Sequence, residues 1–346
     1  MPLDSSESNS PAGKRWELID KYGRRHTSLR ISVTDACNIR CKYCMPAVVS
    51  GFLSQDRLLS YDAIARIVRV LAQAGIRKVR LTGGEPLMRP DLFKLVEKLR
   101  AVSGLTQIAM TTNGMMLRDS LDRLVQAGLS HVNISLDTLR EPAFREISRR
   151  DGLEKVLEGI EAAVRSPLHV RLNALILKDI NLDDLIPLVR YARELRIVIR
   201  FIEFMPLDAS RAWSADQVVT GDELRRIVES EFGPLTPADS SDPSQPARDY
   251  LFEDKIGGIG FIDPVSKPFC SDCNRLRLTA DGKFRNCLFG QDEWDVKPLL
   301  GLPQGETADE KIYQLVRTCV EEKHPSHGIS QIGFHPPERA MYQIGG

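Results

Sequence analysis

The chain has no excess of charge of either sign: Lys+Arg and Asp+Glu number 47 each over 346 residues. That balance excludes a global attraction to polyanions, so neither nucleic acid nor an anionic membrane is an expected partner, although local patches remain open. No apolar run approaches the roughly 20 residues that span a bilayer. Residues 1–14 are rich in Ser, Pro and Asp. They lack the apolar stretch of a secretory signal and read as a disordered lead-in. The seven cysteines are an odd number and fall in clusters. This argues against a disulfide framework and suits metal binding in a reducing compartment, with the cytosol as the expected location.

Three cysteines stand out: Cys37, Cys41 and Cys44, in the run Cys-Asn-Ile-Arg-Cys-Lys-Tyr-Cys. Three thiolates so close in sequence can hold three corners of a cubane iron–sulfur cluster. No fourth cysteine lies near, so one iron stays open to an outside ligand. A structural zinc site wants four closed ligands and finds none here. A redox Cys-x-x-Cys pair would use Cys41 and Cys44 and leave Cys37 unexplained.

From residue 28 to 204 strand-like and helix-like segments alternate. Residues 28–33 are β-prone and lead directly into the cysteines. Ile64, Ile67, Val68 and Leu71 recur at i, i+3, i+4, i+7, the stripe of a core-facing helix. Four similar stripes follow, begun by Leu92, Leu121, Val156 and Leu185, each before a short apolar run. Six strands and five helices predict parallel βαβ units, either an open doubly wound sheet or a barrel. The polar motifs Gly83-Gly84-Glu85-Pro86, Thr111-Thr112-Asn113-Gly114, Ser135-Leu136-Asp137 and Glu203-Phe204-Met205 sit at the C-terminal ends of predicted strands. In a barrel, catalytic groups gather there. Residues 234–247, with four prolines, read as a linker or exposed loop. Beyond them, residues 249–252 and 259–262 read as strands, and 275–279 with 283–287 as a hairpin around Asp281-Gly282. The expected domains are therefore 15–233 and a smaller one, 234–346.

Cys270, Cys273 and Cys287 form a second set, a Cys-x-x-Cys with the third cysteine across the predicted hairpin. A zinc knuckle completed by a distant histidine or by Cys319 is the competing reading.

The first set, with Tyr43 before its last cysteine, resembles the signature of the radical S-adenosylmethionine (SAM) superfamily. That resemblance implies a partial (β/α)6 TIM-type barrel. It also implies a [4Fe–4S] cluster on Cys37, Cys41 and Cys44, whose open iron chelates SAM's methionine moiety. The second set, the run Arg275-Leu276-Arg277 and the closing Gly345-Gly346 make the chain similar to the GTP 3′,8-cyclase family of molybdenum cofactor biosynthesis. The match runs from about Leu29 to the end. It implies a C-terminal α+β domain with a second [4Fe–4S] cluster on Cys270, Cys273 and Cys287, its open iron contacted by guanine. Tyr43, Gly84, Ser135 and Met205 match the family's SAM contacts, as does Asn173. Arg30, Arg80, Thr111, Arg275, Leu276 and Arg277 match GTP contacts. Arg200 matches an arginine near the substrate, and Arg171 falls where the family usually has lysine. Gly345 and Gly346 would reach back into the active site. The resemblance also implies a homodimer, an electron donor of unspecified identity, and cyclic pyranopterin monophosphate synthase as the downstream partner.

The residue types agree with these roles. A triphosphate needs a basic pocket, and the guanidinium fork donates to phosphate oxygens in pairs. Arg80 and Arg200 lie inside apolar strand runs, where a buried charge needs a partner. Glycine at 83 and 84 lets the backbone approach a ligand closely. One stretch, Ala47-Val48-Val49-Ser50-Gly51, departs from the acidic, glycine-containing family pattern.

Overall fold

The computed structural model describes residues 16–209, 211, 213–239, 242–329, 331 and 333–345. The lead-in expected over residues 1–14 and the terminal Gly346 lie outside them.

Six strands alternate with helices as the sequence predicts. Strand β1 is Ser28–Ser32, β2 Lys78–Thr82, β3 Gln107–Thr112, β4 His131–Ser135, β5 His169–Leu175 and β6 Val198–Ile202. Helices α1 (Tyr61–Gln73), α2 (Leu92–Arg100), α3 (Leu117–Ala127), α4 (Glu141–Ser148), α5 (Leu153–Val164) and α6 (Leu185–Glu194) connect them. Helix α4 is additional to the expected five. It carries only one and a half turns of apolar pattern, Phe144 and Ile147, which is too little for periodicity to register. Helix α1 shows why these segments stop and start where they do. Ser60 accepts from the Ala63 amide at its N-terminus, and Ile64, Ile67, Val68 and Leu71 are all buried against the sheet.

The remaining elements are α7 (Gly221–Phe232), β7 (Thr236–Pro237), β8 (Arg248–Leu251), β9 (Gly258–Ile262), β10 (Arg275–Leu278), β11 (Lys283–Arg285), β12 (Trp294–Asp295), α8 (Lys297–Leu300), α9 (Glu306–Glu321) and α10 (Met341–Ile344). All twelve strands join one sheet in the order β12-β11-β10-β1-β2-β3-β4-β5-β6-β9-β8-β7. Strands β10 and β9 pair in parallel with β1 and β6. The C-terminal region therefore extends both edges of the sheet begun by the first half. The predicted hairpin is present as the antiparallel pair β10–β11.

Alternation sorts the side chains. Leu29, Ile31, Val79, Leu81, Leu276 and Leu278 point into the helix-covered core. The intervening Arg30, Arg80, Arg275 and Arg277 point to the other face.

Candidate active site

The inner face of the sheet lines a cavity of about 510 Å³, within the range of small-molecule sites. Residues of β1 to β6, β9 and β10 all contribute to its wall, so the sheet wraps around it, as a partial barrel would. The strand register stacks the basic side chains at defined levels. Arg277, Arg30 and Arg80 are register partners across β10, β1 and β2. One level away, Arg275, Ser28 and Lys78 align in the same way. Across the sheet, Thr111, Asn133 and Arg171 form a row, and Ser135, Asn173 and Arg200 another.

The first cysteine loop leaves the C-terminal end of β1. Its turn is closed by the Cys44 and Met45 amides donating to the Cys41 carbonyl at 3.0 and 2.9 Å. The loop is pinned from outside by Arg149 Nη1, which donates to the carbonyls of Arg40 and Met45 at 3.0 and 2.9 Å. It is pinned from inside by the Gly83-Gly84 turn. The Gly84 amide donates to Thr34 O at 2.8 Å and the Glu85 amide to Ala36 O at 2.7 Å. A Cβ on Gly84 would meet the carbonyls of Asp35 and Ala36. Close approach thus explains these glycines, and the approaching group is the cysteine loop's own backbone.

The second set converges at the other end of the cavity. Cys270 and Cys273 precede β10. Continuing the Arg277–Arg285 register by two residues places Cys287 opposite Arg275. Arg24 Nη1 holds the Cys270 carbonyl at 2.7 Å.

The two sets differ electrostatically. Burial pushes the Cys37 thiol up to about 11 and Cys44 up to about 12, and drives Cys41 up as well. Such thiols ionise only with a cationic partner, as metal ligands do. Burial would raise Cys273 too, but Arg275 and Lys323 outweigh it and bring it down to about 6. Among the described residues, no group of three or more His, Cys, Asp or Glu is arranged to hold a single metal ion. Cys319 is buried in the core away from the cavity. His327 also lines the cavity, with its Nδ1 accepting from the Ile329 amide at 3.2 Å and its Nε2 without a partner. The donors present are three cysteines per set, which suits clusters with one open corner better than closed zinc sites.

Between the sets lies a basic waist. Burial, then the like charges of Arg277, Arg275 and Arg80, holds Arg30 well below its ordinary range. Burial with Arg171, Arg200 and Arg275 brings Arg80 down to about 10. Burial and Arg275 bring Arg277 down to about 9. Arg200 is neutralised by a bidentate pair with Asp249, at 3.0 and 2.5 Å. Among the described residues, Arg30, Arg80, Arg171, Arg275 and Arg277 form no ion pair with a carboxylate, so the waist is short of anions. Buried polar atoms without partners add to the picture: Arg275 Nε and His327 Nε2, and the acceptors Asn133 Oδ1 and Asn173 Oδ1.

All six cluster cysteines line this one cavity, as do Tyr43, Gly84, Ser135, Asn173 and Met205, and Arg30, Arg80, Thr111, Arg171, Arg200, Arg275 and Arg277. Leu276 does not: alternation turns its side chain into the core, leaving only its backbone near the site. The Gly345 carbonyl accepts from Arg277 Nη1, and the Tyr342 amide donates to Cys44 Sγ, so the tail spans the first set and the waist. Gly346 lies outside the described residues. Tyr43 donates its hydroxyl to Asp137 Oδ2 at 2.7 Å. Residues 47–51 stay off the cavity wall, with Val48 84% exposed, so the divergent stretch does not reach the site.

Sequence reasoning missed several wall residues. Lys78 was findable, two residues from Arg80 on the same strand face. Asp242, Ser244 and Gln245 were not: the segment read as an exposed loop instead folds onto the cavity, where Asp242 pairs with Lys78 at 2.5 Å.

This architecture, with a three-cysteine loop after β1 facing the inner wall of a parallel sheet, defines a radical SAM protein. The radical SAM superfamily pattern matches residues 31–192, and that of Molybdenum Cofactor Synthesis C matches residues 197–329. The GTP 3′,8-cyclase of Rhodopirellula baltica is 46% identical over 333 residues, covering 95% of this chain and 92% of that protein. That of Syntrophomonas wolfei is 37% identical, covering 95% and 100%. Molybdenum cofactor biosynthesis protein 1 of Drosophila melanogaster is 37% identical, covering 93% of this chain and 56% of that protein. The chain belongs to the GTP 3′,8-cyclase family. In fold it is similar to Streptococcus suis SuiB, with a TM-score of 0.60 at 16% identity over 89% of this chain and 68% of that one. Among the described residues no helix is long and apolar enough to cross a membrane.

Proposed function

We propose that this chain cyclises GTP to (8S)-3′,8-cyclo-7,8-dihydroguanosine 5′-triphosphate, the first step of molybdenum cofactor biosynthesis. One observation carries the reading: two three-cysteine sets face each other across one cavity, and between them stand Arg30, Arg80, Arg275 and Arg277, which form no ion pair with a carboxylate among the described residues. Cys37, Cys41 and Cys44 would hold a [4Fe–4S] cluster with SAM on its open iron, and Cys270, Cys273 and Cys287 a second cluster whose open iron meets guanine. When bound, the first cluster and SAM would supply the one-electron chemistry that activates the ribose C3′ position of GTP for bonding to guanine C8.

The chain's residues position the reactants. Arg30, Arg80, Arg275 and Arg277 bind the triphosphate, each guanidinium offering paired donors to phosphate oxygens. Arg171 and Thr111 extend the nucleotide site along β5 and β3. Arg200 shapes it, its charge already shared with Asp249. The backbone at Gly84, together with Tyr43, Ser135, Asn173 and Met205, holds SAM, and the unpartnered Asn173 Oδ1 offers an acceptor. Gly345 and Gly346 close the site from the tail. The wrapped sheet excludes water and sets the reacting atoms in a fixed geometry. The reading further comprises a cytoplasmic homodimer, a separate electron donor, and cyclic pyranopterin monophosphate synthase as consumer of the product.

Anaerobic turnover of the reconstituted, reduced protein with SAM, with and without GTP, tests this by mass spectrometry. GTP-dependent 5′-deoxyadenosine with a reduced isomer of GTP supports it. SAM cleavage that leaves GTP unchanged overturns the substrate. No cleavage in protein carrying two clusters overturns the radical reading.

A further inference from the structure

Lys323 lies just past α9 and is 3% exposed. Its Nζ is 3.1 Å from the carbonyls of both Cys273 and Arg275, 3.5 Å from Cys273 Sγ and 3.1 Å from His26 Nε2. An ammonium has three N–H donors and no lone pair, so all four neighbours must accept. His26 is set up to do so. Its Nδ1 faces Arg24 O at 3.1 Å and donates there, which leaves Nε2 as the acceptor. Burial, then the charge of Lys323, keeps the ring neutral, with its pKa down to about 3.

Among the described residues, no carboxylate pairs with this buried cation. The one nearby, Asp20, is held by Arg24 Nε at 2.6 Å. The other charged neighbours, Arg24 and Arg275, are themselves cations. Burial lowers the Lys323 pKa from its ordinary 10.5, and the thiolates of Cys273 and Cys287 act against that. A buried unpaired charge is expensive, and among the described residues the anionic partner within reach of Lys323 is the Cys273 sulfur.

We propose that Lys323 is a positioning residue of the second cysteine set: its ammonium, oriented by His26, holds the Cys273 sulfur and raises the reduction potential of the cluster bound there. A full positive charge beside a ligand sulfur, away from water, favours the reduced, more negative state. The inference rests on the second-cluster reading above.

The test uses full-length chain carrying Cys37→Ala, Cys41→Ala and Cys44→Ala, so that only the second set can bind a cluster. Protein with Lys323, K323M or K323R is reconstituted anaerobically, its iron counted and its cluster titrated by electron paramagnetic resonance. At fixed potential K323M is expected to show at least a tenfold lower reduced-to-oxidised ratio, ~59 mV for one electron, with K323R restoring it to within about threefold. Equal ratios in K323M and its parent overturn the inference. A parent that binds no iron overturns the second-cluster reading itself, and this inference with it. Should K323M alone lose iron, alkylation of the iron-free proteins decides, with iodoacetamide labelling mapped by mass spectrometry. Cys273 labelling at neutral pH slows about tenfold relative to Cys270 in K323M and recovers in K323R if the ammonium holds the thiolate. Unchanged labelling overturns the proposal.

Discussion

Replacing Arg80 with methionine is expected to make the substrate-free protein more stable and a poorer binder of GTP. The Arg80 guanidinium is brought from 12.5 down to about 10, by burial first and then by Arg171, Arg200 and Arg275. Below pH 10 it is charged in both folded and unfolded chains, so the penalty is present in full at neutral pH and fades only as pH rises through 10. At ~1.36 kcal/mol per pH unit the penalty is at most about 3.5 kcal/mol. Water in the cavity screens it, and about 1–2 kcal/mol is the working figure. Methionine fills a similar volume without charge and gives up a 3.2 Å bond to the Met110 carbonyl and a 3.4 Å contact with Thr111 Oγ1. A protein of this length gains roughly 1–2 °C in Tm per kcal/mol, extrapolating the size trend. A charge-assisted bond to phosphate contributes about 1.5–3 kcal/mol, so GTP affinity should fall roughly 10- to 150-fold. Differential scanning fluorimetry of reconstituted protein, with and without GTP, reads both effects. R80M should melt higher than wild type alone and gain less when GTP is added. An R80M protein that melts several degrees lower, yet keeps its GTP affinity within about twofold, would refute the idea of an anion-starved waist.

Three further outcomes follow from the same geometry. Gly84→Ala forces a Cβ against the carbonyls of Asp35 and Ala36. The first cysteine loop must then move, so reconstituted iron should drop by about half while the fold, read by far-UV circular dichroism, persists. Burial raises the Glu85 carboxyl from 4.5 to about 7, despite bonds from Thr112 Oγ1 at 2.7 Å and the Asn113 amide at 2.7 Å. A raised acid stabilises the fold below its unfolded pKa and loses that contribution as pH rises. Wild-type Tm should therefore fall between pH 4.5 and about 7, and Glu85→Gln should flatten that slope. Arg200→Met leaves the Asp249 carboxylate with Gln245 Nε2 at 3.0 Å but without its paired guanidinium. The Asp249 side chain is 21% exposed, so the loss should fall below the ~3–5 kcal/mol of a fully buried pair, and Asp249→Asn in the same chain should recover most of the lost Tm.

The strands and helices were legible because each carries its own period. The strand β6 ends at the predicted residues, and the α1 stripe is buried as read. Partnership between distant segments was not legible. Arg80 and Arg200 look alike in sequence, each a cation inside an apolar strand. Only the pairing of β6 with β9, and of β9 with β8, brings Asp249 to Arg200 and leaves Arg80 without a carboxylate. The glycines at 83 and 84 were read as making room for a ligand, and the structure fills that room with the backbone of residues 34–36. The segment 234–247 has the composition of a solvated loop, and nothing local in it announces that Asp242 will sit on Lys78. The two sets of three cysteines that line the cavity were legible for the opposite reason. Under the proposed function their spacing is set by the groups they would bind, which sequence records more strictly than a packing contact.

The register also sets how far apart the two cysteine sets stand. Ser28 is level with Arg275, just beyond Cys273, and Ser32 lies four residues on, just before the first loop. Four residues at ~3.3 Å give about 13 Å of strand between the levels. A pair of clusters bound at the two ends would leave room for a nucleotide-sized molecule between them. That geometry makes the arginine waist intelligible. A molecule bridging the two ends would present its middle and its charged groups to the levels of Arg30, Arg80 and Arg277, which have no carboxylate partner among the described residues. A neutral substrate of the same length would leave that repulsion uncompensated, so the cavity is expected to favour length and negative charge together. The tail reinforces the selection, because Arg277 already spends one of its N–H groups on the Gly345 carbonyl. Under the proposed function a bound triphosphate would share that arginine with the tail, so the charge of the substrate and the placement of Gly345 would be coupled.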